Sequence, residues 1–158
     1  MADEAPKEPR LVETLEELVQ LTELVGITVY EQSAKRVENQ VDEDEESAPR
    51  IEVLVRALED GIEPRFKLVF EGPGFVLTTD LALHYQDREQ ITIDERVVPE
   101  FLNDVAFMSA YPFLREGIMT SAARLGVQPP LLGLVRRGEI EFTQGPSSDD
   151  NTGEPATK

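Results

Sequence analysis

The residues whose types could support catalysis are few, and their spacing argues against an active site. His84 is the sole histidine, and Asp80 lies four positions before it in a stretch of alternating apolar residues. On a strand these two side chains share a face but lie about 13 Å apart, which is too far for an acid–base pair. We therefore expect a partly exposed strand histidine. The remaining enzyme alternative is an acid–base hydrolase that uses Asp80 or Glu116.

The usual ligands for metals and cofactors are also scarce. The chain has no cysteine, which excludes disulfides and thiolate sites, and a single histidine leaves little for zinc. The acidic run at 42–46 lacks the glycine turn and the distal glutamate of an EF-hand calcium loop, so a solvated connection is the better interpretation. No glycine-rich phosphate-binding motif is present. We expect a protein that is not an enzyme and needs neither cofactor nor metal.

The charge balance limits the classes of partner. The formal net charge is −17, from 15 basic and 32 acidic side chains. Phosphate contacts need clustered cations, so nucleic acid and anionic membranes are poor direct partners, whereas basic or unfolded polypeptides fit. The sequence contains no apolar run of membrane-spanning length and no signal peptide. We expect a cytoplasmic protein.

The apolar pattern predicts an α+β fold built on a four-stranded antiparallel sheet. Residues 11–19 carry apolar side chains at helical spacing and predict a short amphipathic helix. Alternation then predicts strands over 21–36, 51–57, 66–70 and 75–85, the last three joined by short turns, as in a meander.

One domain is expected over residues 11–142. Residues 1–10 are rich in charge and proline, and 143–158 carry almost nothing apolar, so both ends are predicted to be disordered.

A long helix is predicted from Pro99 to Leu125. An apolar stripe along it could cover the sheet and consists of Phe107, Tyr111, Leu114, Ile118, Ala122 and Leu125. Pro112 lies inside the helix at a cost of roughly 3 kcal/mol, which indicates a kink that fits a partner.

A neighbouring face of this helix combines small residues with one aromatic, namely Ala110, Phe113, Gly117 and Ser121. Such a face contacts either a second subunit or the chain's own sheet, and the pattern leaves both open. After a double proline, Leu131, Leu132 and Leu134 form either an exposed binding site or a strap over the core.

Two motifs resemble those of the SecB family of export chaperones. The segment Tyr111-Pro112-Phe113-Leu114-Arg115-Glu116-Gly117-Ile118 is similar to the family's Phe-Pro-Tyr-x-Arg-Glu-x-Ile, with the two aromatics exchanged. Pro129-Pro130-Leu131 is similar to its Pro-Pro-Leu, after a similar interval. The resemblance implies a sheet backed by helices, a dimer of dimers, and ATP-independent holding of unfolded polypeptides. It also implies docking of the motor SecA on an acidic face of the sheet.

The resemblance and the apolar pattern together select two sets of candidate residues. The candidate client-binding residues are Phe75, Leu77, Tyr85, Leu131, Leu132 and Leu134. The candidate oligomer interface consists of Ala110, Pro112, Phe113, Gly117 and Ser121.

The chain also departs from the family pattern. The glycines and proline after the Pro-Pro-Leu segment leave little room for the family's second helix, and the tail lacks its basic character. A dedicated antitoxin chaperone and an oligomeric assembly module without clients are therefore the alternatives to an export chaperone.

Overall fold

The computed structural model describes residues 8–38 and 49–133. Of the ends predicted to be disordered, 1–10 and 143–158, residues 1–7 and 143–158 lie outside the described residues, as does Leu134, whereas Arg10 is the first residue of a strand. The elements, in chain order, are β1 (Arg10–Val12), α1 (Leu15–Leu21), β2 (Thr22–Arg36), β3 (Arg50–Leu58), β4 (Gly61–Gly72), β5 (Phe75–Asp87), β6 (Ile91–Ile93), α2 (Val97–Phe101), a π-helical turn (Leu102–Ala106) and α3 (Phe107–Leu125).

The predicted α+β architecture is confirmed. Four antiparallel strands form one sheet in the order β2-β5-β4-β3, and α3 packs on one face, mainly over β5 and β2. We call this the helix face. Because side chains alternate along a strand, Leu77, Thr79, Leu81 and Leu83 of β5 point to the helix face. Asp80, Ala82 and His84 point to the opposite side, which we call the open face.

The N-terminal helix was predicted to start at residue 11, and this start is wrong. The helix begins at Leu15, where the hydroxyl of Thr14 accepts a hydrogen bond from the amide of Glu17 at 3.3 Å and caps the first turn. The preceding residues form β1, which pairs in parallel with β6, and the amide of Arg10 donates to the carbonyl of Gln90 at 3.0 Å. Local apolar spacing could not reveal this pairing because its partner lies far along the chain.

The apolar stripe of the long helix faces the core as predicted. Phe107, Leu114, Ile118 and Ala122 are buried, and the ring of Phe107 lies 5.5 Å from that of Phe66 in β4. The helical region begins slightly earlier than Pro99, at Val97, and includes the π-helical turn before α3.

The C-terminus of α3 is capped by a glycine. Gly126 adopts a left-handed conformation with φ of 71°, and its amide donates to the carbonyl of Ala123. The described chain then continues through Pro129 and Pro130 to Gly133 without further regular structure.

Candidate functional site

The segment after α3, residues 126–133, which we call the strap, is held against the domain at its end. The hydroxyl of Tyr111 donates to the carbonyl of Gly133 at 2.6 Å, and the side chain of Leu132 is buried. Leu131, between the prolines and Leu132, is 99% exposed. The sequence left open whether these leucines cover the core or form an exposed binding site. Both are true of the strap, because Leu132 packs on the core and Leu131 presents its apolar side chain to solvent.

Three other candidate client-binding residues lie in the core of the single chain. Phe75, Leu77 and Tyr85 are all buried, and the Tyr85 ring packs edge-on against Phe101 with centroids 5.0 Å apart. Burial also raises the pKa of the Tyr85 hydroxyl. This placement differs from the surface position that we expected from their proximity to turns. The reason is that all three point to the helix face, against which α2 and α3 pack.

Most of the small residues on α3 contact the chain's own sheet. Ala110, Gly117 and Ser121 are buried. A Cβ at Gly117 would lie 2.5 Å from Oγ1 of Thr79, and Gln32 of β2 donates to the Gly117 carbonyl at 3.5 Å. Close approach of helix and sheet therefore accounts for these small side chains within one subunit.

The remaining candidate interface residues, Pro112 and Phe113, are exposed. They belong to a solvent-facing apolar stripe of α3, which we call the outer face and which also contains Met108 and Met119. The two methionines were missed in the sequence. Their helical spacing relative to Pro112 was visible, but nothing in the sequence indicated which side of the helix would meet the sheet.

The edge strand β2 exposes a second group of apolar side chains, namely Leu24, Val25, Val29 and Tyr30. The pairing of β2 with β5 shifts register at two points, between Leu24 and Gly26 and between Val29 and Glu31. Each shift inserts an extra residue and interrupts the alternation that the sequence predicts. Residues expected to share one buried face are therefore divided between the helix face and solvent.

The open face carries two buried carboxylates, each paired with a cationic or histidine partner. Asp80 accepts two hydrogen bonds from Arg65, at 2.8 and 2.7 Å, and the Arg65 guanidinium stacks on the ring of Tyr30. This bidentate pair also raises the pKa of Arg65. Glu63 lies 2.7 Å from both Arg56 and Nδ1 of His84.

These partners define what the histidine and the candidate acids do. Nδ1 of His84 faces Glu63, and its Nε2 lies 2.7 Å from the hydroxyl of Thr28, so the imidazole bridges two strands. Asp80 is held by arginine and does not contact this histidine. Glu116 is exposed on α3, on the other side of the sheet. The candidate acids and the histidine therefore do not form an acid–base group.

The charge of the open face is mixed. Among the described residues, its exposed cationic side chains are Lys35, Arg50, Arg56, Arg65 and Lys67, and its exposed carboxylates are Glu31, Glu52 and Glu71. Glu63 and Asp80 are buried beneath their partners. The described part of this face is therefore of mixed charge, whereas the family resemblance implies an acidic docking surface.

Within 8–38 and 49–133, no group of three or more histidine and acidic side chains is arranged to hold a metal ion. In the same ranges, no helix is both long and apolar enough to cross a membrane.

Comparison with known proteins identifies the family. No family model matches the chain. The sequence is 32% identical over 139 residues to the SecB-like chaperone SmegB of Mycolicibacterium smegmatis. The matched region covers 88% of this chain and 92% of SmegB. The fold is similar to that of the Mycobacterium tuberculosis SecB-like chaperone Rv1957, solved with a ChAD peptide from the HigA1 antitoxin. The TM-score is 0.61 at 14% identity, over 76% of this chain and 95% of that one. Because the sequence similarity to SmegB extends over most of both proteins, the chain belongs to the family of SecB-like chaperones.

Proposed function

We propose that this protein is an ATP-independent holdase that binds extended segments of unfolded client polypeptides in the cytoplasm and needs no cofactor. The observation that carries the proposal is the identity to SmegB over nearly the whole chain. Exposed apolar side chains on the strap and on β2 supply the kind of surface on which unfolded segments can be held. The net charge of −17 favours basic clients and disfavours aggregation of the complex.

The proposed client site is centred on Leu131. Its side chain is almost fully exposed, so removing it should leave the core intact, whereas Leu132 is part of the core. This difference makes the single substitution Leu131→Ser a cleaner probe than a change of all the leucines in the strap. Val19→Ser is the control because it removes an exposed apolar side chain elsewhere, on α1.

The test is suppression of aggregation of a denatured client without ATP, followed by light scattering. We expect suppression by the wild type and by Val19→Ser, and weaker suppression by Leu131→Ser. Absence of suppression by the wild type at a fourfold subunit excess would refute the holdase proposal. Loss of the oligomer in Leu131→Ser would favour the assembly module instead.

An antitoxin is the second candidate client, beside preproteins destined for export. It is favoured by the structural neighbour, which was solved with an antitoxin peptide, and by the mixed charge of the open face. We expect SecA to bind this protein weakly or not at all. Micromolar binding of SecA in a calorimetric titration would favour the export role. Stabilisation of a coexpressed antitoxin would favour the role of a dedicated antitoxin chaperone.

We also propose that the subunits assemble through the outer face of α3. The apolar stripe of Met108, Pro112, Phe113 and Met119 has no cover among the described residues and suits a second copy of the chain. Light scattering of Met119→Lys should then show a lower mass with unchanged helix content, whereas Val19→Lys, at an exposed position on α1, should retain the mass of the wild type. Equal masses for wild type and Met119→Lys would refute this interface.

A further inference from the structure

Strand β3 forms one edge of the sheet, and the described residues provide it with only one neighbour. It pairs with β4 over its whole length, from Arg50 opposite Val69 to Leu58 opposite Gly61, without any register shift. The opposite edge, β2, is interrupted by two register shifts. Bulges, prolines and inward charges are the usual means by which edge strands avoid further pairing. β3 contains no bulge and no proline, although it carries the charged side chains of Arg50, Glu52 and Arg56, and no other strand among the described residues pairs with its second side.

The direction of the backbone groups can be read from β4. The amide of Asp87 donates to the carbonyl of Asp60 at 2.8 Å, so the groups of Asp60 point towards β5. Pairing between β4 and β5 is absent at Glu63 and Pro64. The nitrogen of proline has no hydrogen to donate, so this gap is expected if the backbone of Pro64 also points towards β5. Since these directions alternate along an antiparallel strand, even-numbered residues of β4 face β5 and odd-numbered residues face β3.

The same alternation identifies the free groups of β3. Leu54 lies opposite Arg65 and Arg56 lies opposite Glu63, so the backbone groups of both residues point to β4. The residues between and beside them point their amides and carbonyls outward. They are Ile51, Val53, Val55 and Ala57. An extended polypeptide is the ligand whose hydrogen-bonding groups match such a row.

The side chains beside this edge are apolar on the helix face, whereas on the open face Leu54 and Leu58 alternate with the charged Arg50, Glu52 and Arg56. Leu54 and Leu58 on the open face are 51% and 37% exposed. Ile51 and Val55, on the helix face, are half-buried and pack against the core. An added strand would place apolar side chains next to the leucines on one face and next to the β-branched residues on the other. The edge therefore suits a segment rich in β-branched or aromatic residues.

We propose that the free edge of β3 binds an extended apolar segment of the client as an added strand of the sheet. The inference rests on the proposed holdase function and adds a specific mode of recognition to it. Backbone hydrogen bonds do not depend on client sequence, so this mode allows many clients to be held, and the flanking leucines favour apolar ones.

The test uses Val55→Pro, which removes one outward amide and places a proline ring along the edge. The hydrogen bonds to β4 remain, because the Val55 amide does not take part in them. Val55→Thr is the matched control, since it retains both the amide and a β-branched side chain. The probe is a fluorescent peptide of alternating threonine and valine flanked by lysines, with its N-methylated counterpart as a ligand control. We expect Val55→Pro to lower the affinity about fivefold to tenfold, because it loses one hydrogen bond and gains a steric obstacle.

Residue-resolved hydrogen exchange of the wild type provides a second readout that does not depend on the proline variant. The peptide should slow exchange at Ile51, Val53, Val55 and Ala57, and Val55→Thr should bind it within about twofold of the wild type. Equal affinity for Val55→Pro, or slow exchange at these amides before peptide is added, would overturn the inference. In the latter case the edge is already paired with the chain itself or with a second copy. If the wild type suppresses aggregation but these results are negative, only the edge inference fails. Without suppression, the proposed function fails as well.

Discussion

The most informative substitution for the architecture is Gly117→Ala in α3. A Cβ at this position would lie 2.5 Å from Oγ1, 2.7 Å from Cγ2 and 3.2 Å from Cβ of Thr79. Thr79 is buried and branched at Cβ, so it cannot move aside by rotation alone. Forcing a methyl group into such a contact costs about 1–3 kcal/mol, whereas alanine gains up to about 1 kcal/mol in helix propensity over glycine. We expect Gly117→Ala to lower the free energy of unfolding by about 1–2 kcal/mol.

Urea denaturation measures this loss, and two comparisons isolate its cause. The difference between Arg124→Ala and Arg124→Gly gives the propensity term at an exposed site of the same helix that is not among the proposed interface residues. Thr79→Ala removes both closest atoms. Its hydroxyl has no hydrogen-bond partner, so the deletion leaves no donor or acceptor unpaired. In the Thr79→Ala background, Gly117→Ala should cost at least about 1 kcal/mol less than in the wild type, because neighbouring substitutions are coupled.

Two results would refute this explanation. Gly117→Ala could be as stable as the wild type, or more stable, as expected for an exposed helical glycine. The substitution could also lower the oligomer mass without changing the stability of the subunit. Either result would mean that the small residues of α3 serve subunit contact and not the packing of helix on sheet.

Three further predictions concern the charged and polar contacts. Arg65→Met leaves the buried carboxylate of Asp80 without its bidentate partner and should cost about 3 kcal/mol of unfolding free energy in urea. Burial and the nearby charge of Asp60 raise the pKa of Asp87, so its charged form opposes folding. Asp87→Asn should therefore be more stable than wild type at neutral pH, and this gain should decline as pH falls through the raised pKa and vanish below 3.8. Tyr111→Phe loses the hydrogen bond to the strap and should cost about 1 kcal/mol, with faster proteolysis of the strap.

Each of these has a control or an opposing outcome. Arg56→Met should cost less than Arg65→Met, because His84 still contacts Glu63 after the change. Equal costs would contradict the role of the bidentate pair. A constant stability difference for Asp87→Asn between pH 3 and pH 7 would contradict the raised pKa, and unchanged strap proteolysis in Tyr111→Phe would contradict its anchoring role.

The sheet and the long helix could be predicted because each buries one continuous face. Alternation across β4 and β5 and the stripe from Phe107 to Ala122 both record that burial in the sequence. The register shifts in β2 could not be predicted, since the extra residues at Val25 and Tyr30 are apolar and preserve a plausible strand pattern. The pairing of β1 with β6 depends on residues about 80 positions apart, which no local period contains.

The candidate site was less predictable than the fold. Apolar side chains in a sequence indicate burial or binding equally, and only the packing of the helices and the strap distinguishes Leu131 from Leu132. The motif around Pro112 correctly indicated a SecB-like protein. It could not indicate that Gly117 packs on Thr79, because that depends on which side of α3 meets the sheet.

The central claim is that the folded protein holds a client chain in an unfolded state without nucleotide. Sizing chromatography with light scattering tests it most directly, on a mixture of the protein with a slowly folding client diluted from denaturant. We predict a complex whose mass equals that of the oligomer plus the client, with client amides that exchange as fast as in the denatured chain. Elution of a refolded or aggregated client apart from the protein would contradict the claim.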